Sequence, residues 1–327
     1  MEDVKSVSAG SFHSLAIKGD GSLWAWGRNM SGQLGDGTTE EKTIPVKIMD
    51  DAAAVSAGST HSLAIKNDGS LWAWGDNSEG QLGDGTMWDN STPVKIMDGV
   101  KAVSAGSSRS FAIKTDGSLW TWGWVGTFGD RTGENNLTPV KIMDDIAAIS
   151  AAYFQILVIK NDGSLWAWGW NSYGQLGDGT GGGGYYYTTG FDRTGDKLAP
   201  VKIMDGVVAV SGGELHSLAV KNDGSLWTWG DNQYGELGDG TFTTYGDNGI
   251  EENNDKNIPV KIMDGVKQLD NTSGYIYNQA AVADTIPVEA VVDAPAVKTG
   301  DAAMITLVTV IIIAAAGIII FRKKVLK

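Results

Sequence analysis

The stretch Asp68-Gly69-Ser70-Leu71-Trp72-Ala73-Trp74-Gly75 recurs in nearly the same form along the 327-residue chain, and this recurrence restricts the possible folds more than any other feature. The first tryptophans of the five copies are Trp24, Trp72, Trp120, Trp166 and Trp227, at intervals of 48, 48, 46 and 61 residues. A fixed internal period of this size is typical of a propeller or another array of stacked supersecondary units. The number of units therefore decides the domain organisation, and the total length does not.

Each unit contains the same segments in the same order: VSAG, HSLAIK, an Asp-Gly turn, SLWAWG, GQLGDGT and PVKIMDG. An Asp-Gly pair between two apolar runs is a hairpin signal, because both residues tolerate positive φ. Four short strands are expected from every unit. The predicted repeats cover residues 4–51, 52–99, 100–145, 146–206 and 207–265.

The paired tryptophans predict how the units pack. The second members of the pairs are Trp26, Trp74, Trp122, Trp168 and Trp229. Side chains two positions apart on a strand share a face, so both tryptophans point one way while Leu and Ala point the other. A sheet that is apolar on both faces must lie between two neighbours. Burying one indole stabilises the fold by at most about 4 to 6 kcal/mol, so we expect these pairs to hold adjacent sheets together.

The motifs AGxxHSLAI, DGSLWAWG, NxxGQLGDGT and PVKI resemble the regulator of chromosome condensation repeat, over residues 1–269. The resemblance implies an all-β propeller, usually seven-bladed, with four-stranded blades around a central channel. This sequence has five full repeats and a possible partial sixth beginning at Gly265. Residues 1–8 align with residues 97–104, which suggests the hypothesis that the chain begins partway through a longer array.

A charge-free segment covers residues 302–321 and precedes a basic tail at 322–327. Twenty apolar residues match a transmembrane helix, and the basic tail favours a cytoplasmic C-terminus with the propeller outside. Residues 270–301 are the expected linker. Its Thr299-Gly300 resembles the cleavage point of a Gram-positive sortase signal, although Ala296 and Val297 replace the Leu and Pro of that motif. The resemblance implies sortase and peptidoglycan as partners; a plain membrane anchor is the alternative, and both predict the cell surface.

The composition and motifs offer little catalytic chemistry. A net charge of −14 argues against nucleic-acid binding, and the absence of Cys excludes thiolate chemistry. His13, His61 and His216 occupy one repeat position that Arg109 and Gln155 fill elsewhere, which indicates a structural role in hydrogen bonding rather than a metal site. The Gly-Asp-Gly-Thr segments lack the spacing of a calcium loop. We therefore predict no enzyme activity, no cofactor and no metal.

The candidate binding residues lie where the repeats differ. The fourth and fifth repeats carry long insertions at one loop position, residues 181–199 and 242–258, and these should emerge close together on one face. Their candidate contact residues are Tyr185, Tyr186, Tyr187, Phe191, Phe242 and Tyr245. Trp124 and Trp170 share a further position and suggest an exposed aromatic pair, with local repacking as the alternative. A flexible insertion without binding function is the alternative for the loops.

These features favour a cell-surface adhesion or recognition propeller that binds a protein or glycan through loops of one face. The alternative is a regulator or inhibitor of another enzyme, or a module similar to a nucleotide exchange factor, since the resembled family includes such proteins.

Overall fold

Every repeat forms the four strands that its sequence predicts. The computed structural model describes residues 1–124, 135–182, 195–246 and 249–266, with isolated short strands at 185–186, 190–191, 281–282, 308–314 and 317–323. The five sheets, here called blades 1 to 5, are antiparallel, and in each the four strands of the repeat lie side by side in sequence order.

The first three blades are each built from the four strands of the repeat, and blade 3 has one further edge strand from the C-terminal region. Blade 1 comprises β1 (Val4–Ala9), β2 (His13–Lys18), β3 (Leu23–Gly27) and β4 (Lys42–Met49). Blade 2 comprises β5 (Ala52–Ala57), β6 (His61–Lys66), β7 (Leu71–Gly75) and β8 (Asn90–Met97). Blade 3 comprises β9 (Val100–Ala105), β10 (Arg109–Lys114), β11 (Leu119–Gly123) and β12 (Asn136–Met143).

The last two blades contain extra hairpins between their third and fourth strands. Blade 4 comprises β13 (Ile146–Ala151), β14 (Gln155–Lys160), β15 (Leu165–Gly169) and β18 (Lys197–Met204), with the hairpin β16 (Tyr185–Tyr186) and β17 (Gly190–Phe191). Blade 5 comprises β19 (Val207–Gly212), β20 (His216–Lys221), β21 (Leu226–Gly230) and β24 (Lys256–Met263), with the hairpin β22 (Thr244–Gly246) and β23 (Gly249–Glu252).

The first strands of neighbouring blades lie side by side and are linked by a serine. The hydroxyl of Ser8 accepts a 2.9 Å hydrogen bond from the backbone nitrogen of Ala57, and Ser56 does the same for Ala105 at 2.9 Å. Ser104 and Ser150 continue the series into blades 4 and 5. The blades are therefore joined along their first strands, in chain order.

The two tryptophans of each pair have different environments. Trp74 is fully buried and packs with Leu15, Ile17 and Leu23 of the preceding blade. Trp72 is half-buried, donates to Ser70 Oγ at 2.9 Å and lies 5.1 Å from Lys66 Nζ. The predicted packing between blades is thus confirmed and depends mainly on the second tryptophan. The first tryptophans Trp24, Trp120, Trp166 and Trp227 donate to a serine in the same way.

Because antiparallel strands alternate in direction, the connections of every blade fall on two opposite faces. The loop face carries the connection between strands one and two and the long connection between strands three and four, as in residues 10–12 and 28–41 of blade 1. The turn face carries the Asp-Gly turns and the turns between blades, as in residues 19–22 and 50–51. The predicted binding loops all belong to the loop face.

The C-terminal region differs from the predicted arrangement. Within the expected linker, β25 (Ala281–Val282) pairs with Val103 and Ala102 on the first strand of blade 3. Within the expected helix at 302–321, the described residues form two antiparallel strands, β26 (Val308–Ala314) and β27 (Gly317–Lys323). Among the described residues, no helix has the length and apolar content needed to cross a membrane. The predicted transmembrane helix is therefore not supported, while Thr299 and Gly300 lie outside the described residues.

Candidate binding face and blade junctions

The two long insertions meet on the loop face, as their equivalent positions predict. Asn253 Nδ2 of blade 5 donates to the carbonyl oxygen of Gly182 of blade 4 at 2.6 Å. Asn257 Nδ2 donates to Gly179 O at 3.2 Å and to Gly181 O at 3.4 Å. Each bond joins a blade 5 side chain to a backbone carbonyl of the blade 4 loop. The bases of the two insertions are thus one connected surface.

Both insertions contain a hairpin formed from predicted contact residues. Tyr185 pairs with Phe191 and Tyr186 with Gly190 in blade 4, while Tyr245 pairs with Ile250 in blade 5. Tyr187 lies outside the described residues. Phe242, at the start of the blade 5 insertion, is 58% exposed. The loops of blades 4 and 5 therefore place aromatic residues in neighbouring hairpins.

Trp124 and Trp170 do not form the exposed pair suggested by their shared position. Trp124 is 38% exposed, whereas Trp170 is only 8% exposed. The ring of Trp170 packs edge-on against Phe154 at a centroid distance of 4.2 Å, and Phe154 in turn contacts Tyr153 at 4.4 Å. Local packing, the alternative interpretation, describes Trp170. The expectation of an exposed contact residue is wrong at this position because a neighbouring loop of blade 4 supplies Phe154.

The sequence pattern missed several exposed aromatic residues on the loop face. Tyr234 and Trp88 are 82% and 81% exposed, and both follow the third strand of their blade. Phe12 and Tyr153 are also exposed and lie between the first and second strands of blades 1 and 4. Among the described residues, every aromatic side chain with high exposure lies on the loop face. Inspection of each variable loop position, rather than of the insertions alone, would have identified them.

The turn face has a different chemistry. Each blade has one Lys–Asp ion pair three residues apart at its end, such as Lys47 Nζ with Asp50 Oδ1 at 2.7 Å. The equivalent pairs are Lys95–Asp98, Lys141–Asp144, Lys202–Asp205 and Lys261–Asp264. These side chains are exposed, so the pairs contribute little to stability. The turn face is uniform and charged, whereas the loop face is variable and aromatic.

The repeated histidine position connects one blade to the next. Ser62 Oγ donates its only proton to Gln33 O at 2.8 Å, so His13 Nε2, 2.8 Å from the same oxygen, must be the donor to Ser62. His61 and Ser110 repeat this arrangement. Burial lowers the pKa of His13 and of His61 to about 4, and both imidazoles are neutral at pH 7. A structural role, as the repeat pattern indicated, accounts for these contacts.

Arg109 and Gln155, the substitutes for histidine, also reach the following blade. Arg109 Nη2 donates to the carbonyl of Tyr153 at 2.8 Å. Gln155 Nε2 donates to the carbonyls of Gly213 and His216, both at 3.1 Å. Each side chain thus satisfies backbone acceptors of a neighbouring loop. Among the described residues, no group of three or more His, Asp and Glu side chains has an arrangement suited to a metal ion.

Blade 5 contains one carboxyl group with a strongly shifted pKa. Asp231 is 6% exposed, and burial together with the nearby Asp255 and Glu236 raises its pKa to about 7. The pKa of Asp255 is also raised, chiefly by burial. Asp255 Oδ1 accepts hydrogen bonds from Asn232 N and Thr243 Oγ1. The Asp255 carboxylate thus holds the start of the blade 5 loop through two hydrogen bonds, and the Asp231 carboxyl group lies close to it.

The side of blade 1 that faces away from blade 2 has a cavity of about 560 Å³ next to Trp26. Its lining also includes Phe12, Arg28, Lys42 and Thr43. Trp26 is half-buried here, whereas its counterpart Trp74 is fully buried by the preceding blade. The cavity therefore lies where blade 1 has no preceding blade among the described residues.

The family model described as "RCC1-like domain" matches residues 1–286. The chain belongs to the RCC1-like domain family. The match extends somewhat beyond the resemblance over residues 1–269 that the motifs indicated. The RCC1-like propeller fold suggests a protein-interaction or regulatory module.

Human WBSCR16 has a crystal structure similar to this RCC1-like domain, with a TM-score of 0.64 and 21% identity over 80% of this chain and 67% of that one. The ultraviolet-B receptor UVR8 of Arabidopsis thaliana is 44% identical over 45 residues, 14% of this chain and 10% of UVR8. A bifunctional serine/threonine-protein kinase/NEDD4-like E3 ubiquitin-protein ligase of Dictyostelium discoideum is 32% identical over 84 residues, 24% of this chain and 4% of that protein. This chain therefore matches only a small part of the length of either curated relative.

Proposed function

We propose that this RCC1-like domain is a non-catalytic scaffold that binds a protein partner through its loop face. The observation that carries the proposal is the one-sided distribution of exposed aromatic residues among the described parts of the chain. These residues are Phe12, Trp88, Trp124, Tyr153, Tyr234 and Phe242. Exposed aromatic clusters mark interaction sites, because tyrosine and tryptophan bury a large area and lose little side-chain entropy.

The connected insertions of blades 4 and 5 supply the centre of the proposed surface. Hydrogen bonds from Asn253 and Asn257 to backbone carbonyls of the blade 4 loop hold the bases of the two loops together. A partner that touches one hairpin therefore lies beside the other. Residues held on a rigid scaffold lose less entropy on binding than residues of independent loops.

A non-catalytic role agrees with the chemistry of the described polar groups. The buried histidines bond to serine hydroxyls and are neutral, and Gln155 bonds to backbone carbonyls. The shifted carboxylates Asp231 and Asp255 accept backbone or hydroxyl hydrogen bonds in their own blade. Nucleophile, base and oxyanion donors that converge on one point are needed for group transfer, and these contacts do not bring such groups together.

The proposal is tested by removing aromatic residues from one face only. The triple variant W88S/Y234S/F242S should bind at least about tenfold more weakly to a protein ligand selected on a protein array, because aromatic anchors dominate such interfaces. The control I44S/I258S removes exposed apolar residues from the outer strands and should bind like wild type. Equal loss in both variants, or binding only to a glycan array, would contradict the proposal.

A second variant tests the insertions themselves. Replacing residues 183–194 by a short Gly-Ser linker removes the whole blade 4 hairpin but keeps Asp196 and Lys197, which bond to Asn171 N and to Asp178. Binding should fall while the thermal midpoint stays close to that of wild type. Unchanged binding would exclude this hairpin from the site.

We also propose that the protein acts at the cell surface. The charge-free segment 302–321 and the basic residues Arg322, Lys323 and Lys324 support this location from the sequence alone. Protease treatment of intact cells should degrade an accessible propeller, and an intact protein confined to the soluble fraction would contradict the proposal. A cell-wall peptide that ends at Thr299 would support covalent attachment by a sortase.

A further inference from the structure

In blades 1, 2 and 4, one loop inserts into the next blade with the same contacts. We call this loop the plug: residues 32–37 in blade 1, 80–85 in blade 2, 174–179 in blade 4 and 235–240 in blade 5. The receiving surface, the socket, consists in blade 2 of Trp74, Gly75 and Ser91. Trp74 Nε1 donates to Gln33 O at 2.9 Å, and Gly37 N donates to Ser91 O at 2.9 Å.

The same contacts recur between blades 2 and 3 and between blades 4 and 5. Trp122 Nε1 donates to Gln81 O, and Trp229 Nε1 donates to Gln175 O. The plug glycines fit the sockets tightly, because a Cβ on Gly35 or Gly177 would lie 2.7 Å from the tryptophan of the next blade. Between blades 3 and 4 the corresponding loop lies outside the described residues.

Blade 1 has a socket without a plug among the described residues. Trp26, Gly27 and Thr43 occupy the positions of Trp74, Gly75 and Ser91, and all three line the cavity of about 560 Å³. The donors Trp26 Nε1 and Ser14 Oγ have no acceptor in the described parts of the chain that corresponds to Gln33 O.

Blade 5 has a plug for which the described part of the chain supplies no socket. A Cβ on Gly240 would meet no atom within 4 Å, and one on Gly238 would meet only Ile262, at 3.9 Å. Tyr234, next to this plug, is 82% exposed, whereas its counterpart Tyr173 in blade 4 is covered and 8% exposed. Leu218 and Leu226 lie on the side of blade 5 that a following blade would cover. Both are half-buried, although their counterparts Leu15 and Leu23 in blade 1 are fully buried.

The free plug and the free socket carry complementary charges that no internal junction has. The second residue of the plug is Gln33, Gln81 and Gln175 in the earlier blades but Glu236 in blade 5. The residue after the socket glycine is Arg28 in blade 1 and Asp76, Trp124, Trp170 or Asp231 elsewhere. In the junction between blades 1 and 2, a Cβ on Gly75 would lie 3.1 Å from Gln33 Cα. In a docked plug, the residue equivalent to Gln33 therefore lies beside the socket glycine and the residue that follows that glycine. Glu236 would therefore meet Arg28.

We propose that the blade 5 plug of one molecule docks into the blade 1 socket of a second copy, so that this RCC1-like domain associates head to tail. The internal junctions give the contacts of the interface. Trp26 Nε1 and Ser14 Oγ of the second copy donate to Glu236 O, His216 bonds to Ser14, and Gly240 N donates to Thr43 O. Contacts of this kind between different surfaces of identical chains produce rings or open filaments.

A second copy fits as the occupant because its Glu236 and Arg28 carry the opposite charges that the two free halves of the junction require. Within the described residues, one chain does not fill its own socket, since Trp26 remains half-exposed and a Cβ on Gly240 would meet no atom within 4 Å. Closing one chain into a ring would require changing several tightly packed junctions at once.

The first experiment compares two glycine variants of the full chain by sedimentation velocity over a wide range of protein concentration. In the docked state, a Cβ at Gly238 would strike Trp26, as Gly35 would strike Trp74 at 2.7 Å. G238A should therefore remain monomeric at concentrations where wild type associates. G240A is the matched control, because Gly238 and Gly240 have similar φ values of 70° and 85°, and it should associate like wild type. A monomeric wild type would overturn the proposal.

Charge exchange tests the specificity of the interface. R28E or E236K alone should weaken association by at least about tenfold, whereas R28E/E236K should recover most of it. An equal mixture of the two single variants should recover association with the two variants in alternation. Both hetero pairs, the R28E plug in the E236K socket and the E236K plug in the R28E socket, have opposite charges, whereas each variant alone pairs like charges. Association that is insensitive to all these changes would show that another surface mediates it.

Cysteine cross-linking distinguishes a second copy from ring closure, and the absence of native cysteine leaves no background. Asn135 Nδ2 donates to Glu79 Oε2 at 2.5 Å between blades 2 and 3, and the equivalent positions at the free ends are Glu41 and Tyr234. A mixture of E41C and Y234C should give a covalent dimer with a short bismaleimide. D98C, on the turn face, replaces E41C as the control and should not cross-link. A cross-linked monomer of E41C/Y234C, with no dimer in the mixture, would show that the chain closes on itself.

Discussion

The indole nitrogen of Trp74 lies 2.9 Å from the carbonyl oxygen of Gln33 in the preceding blade, and Ser62 Oγ donates to the same oxygen at 2.8 Å. Both donors come from blade 2 and the acceptor from blade 1. The junction thus combines a buried indole with two hydrogen bonds to one backbone atom.

Trp74→Phe should reduce the free energy of unfolding by about 1 to 3 kcal/mol, because it removes a buried hydrogen bond and part of a packed ring. Trp72→Phe is the matched control. Its indole is half-buried and bonds only to Ser70 of its own blade, so the loss should be about 0.5 kcal/mol. Urea denaturation followed by tryptophan fluorescence measures both. Equal losses would show that the two rings contribute alike.

Acid should destabilise the junctions that contain histidine. The pKa of His13 and of His61 falls from 6.5 to about 4 on folding, because burial penalises the charged imidazole. The unfolded chain therefore binds more protons in this window. The stabilisation is complete above pH 6.5, decreases as the pH falls towards 4, and amounts to about 3 kcal/mol per histidine.

The double variant H13Q/H61Q isolates this effect, because glutamine occupies the equivalent position of blade 4 as Gln155. Aspartates with lowered pKa values also lose stability in acid, but they are the same in both proteins. The difference in unfolding free energy between wild type and variant should change between pH 7.5 and 4.5. A constant difference would mean that these histidines do not titrate in the unfolding transition.

Asp231→Asn should stabilise the protein at high pH. Folding raises the pKa of Asp231 from 3.8 to about 7, mainly through burial, so stability is lost as the pH rises through this window. After screening by solvent, the gain at pH 8.5 should be about 1 to 2 kcal/mol, and it should vanish near pH 4. Asparagine retains the oxygen that accepts from Gln233 N. Thermal unfolding at both pH values measures the gain, and an equal gain at both would contradict the assigned titration.

Gly83→Ala should cost more stability than Gly85→Ala. Both residues have positive φ, 81° and 87°, so alanine is strained by about 1 kcal/mol at either position. At Gly83 the new Cβ would also lie 2.6 Å from Trp122 of the next blade, whereas at Gly85 the nearest atom is a methyl group of Thr138 at 3.8 Å. The clash adds about 1 to 3 kcal/mol. Similar unfolding free energies for the two variants would show that the junction adapts to the added methyl group.

The repeat sequence predicted the blades well because the signals are local. The Asp-Gly turns and the alternating side chains of Leu71–Gly75 give the hairpin and its register, and neither requires knowledge of the neighbouring blade. The position of the binding loops also followed from the repeat, since equivalent segments of adjacent blades must emerge on the same face.

Exposure was less predictable, because it depends on the neighbours of each residue in space. Tyr173 and Tyr234 occupy the same repeat position, yet Tyr173 is 8% exposed and Tyr234 is 82% exposed. In the sequence, Trp26 is equivalent to the second tryptophan of every other pair. It is more exposed than the others only because no described blade precedes blade 1. Trp170 was expected at the surface, and Phe154 covers it. The predicted helix at 302–321 rested on hydropathy alone, which does not specify how an apolar segment pairs.

The plug presents a backbone carbonyl, rather than its side chain, to the two donors of the next blade. Glutamine and glutamate can therefore alternate at residues 33 and 236 without changing the acceptor that the tryptophan and serine require. A substitution at this position therefore leaves the hydrogen bonds that hold the junction together unchanged. In such a repeat array, each junction can carry its own side-chain charges and so select its partner blade, while all junctions keep the same backbone hydrogen bonds.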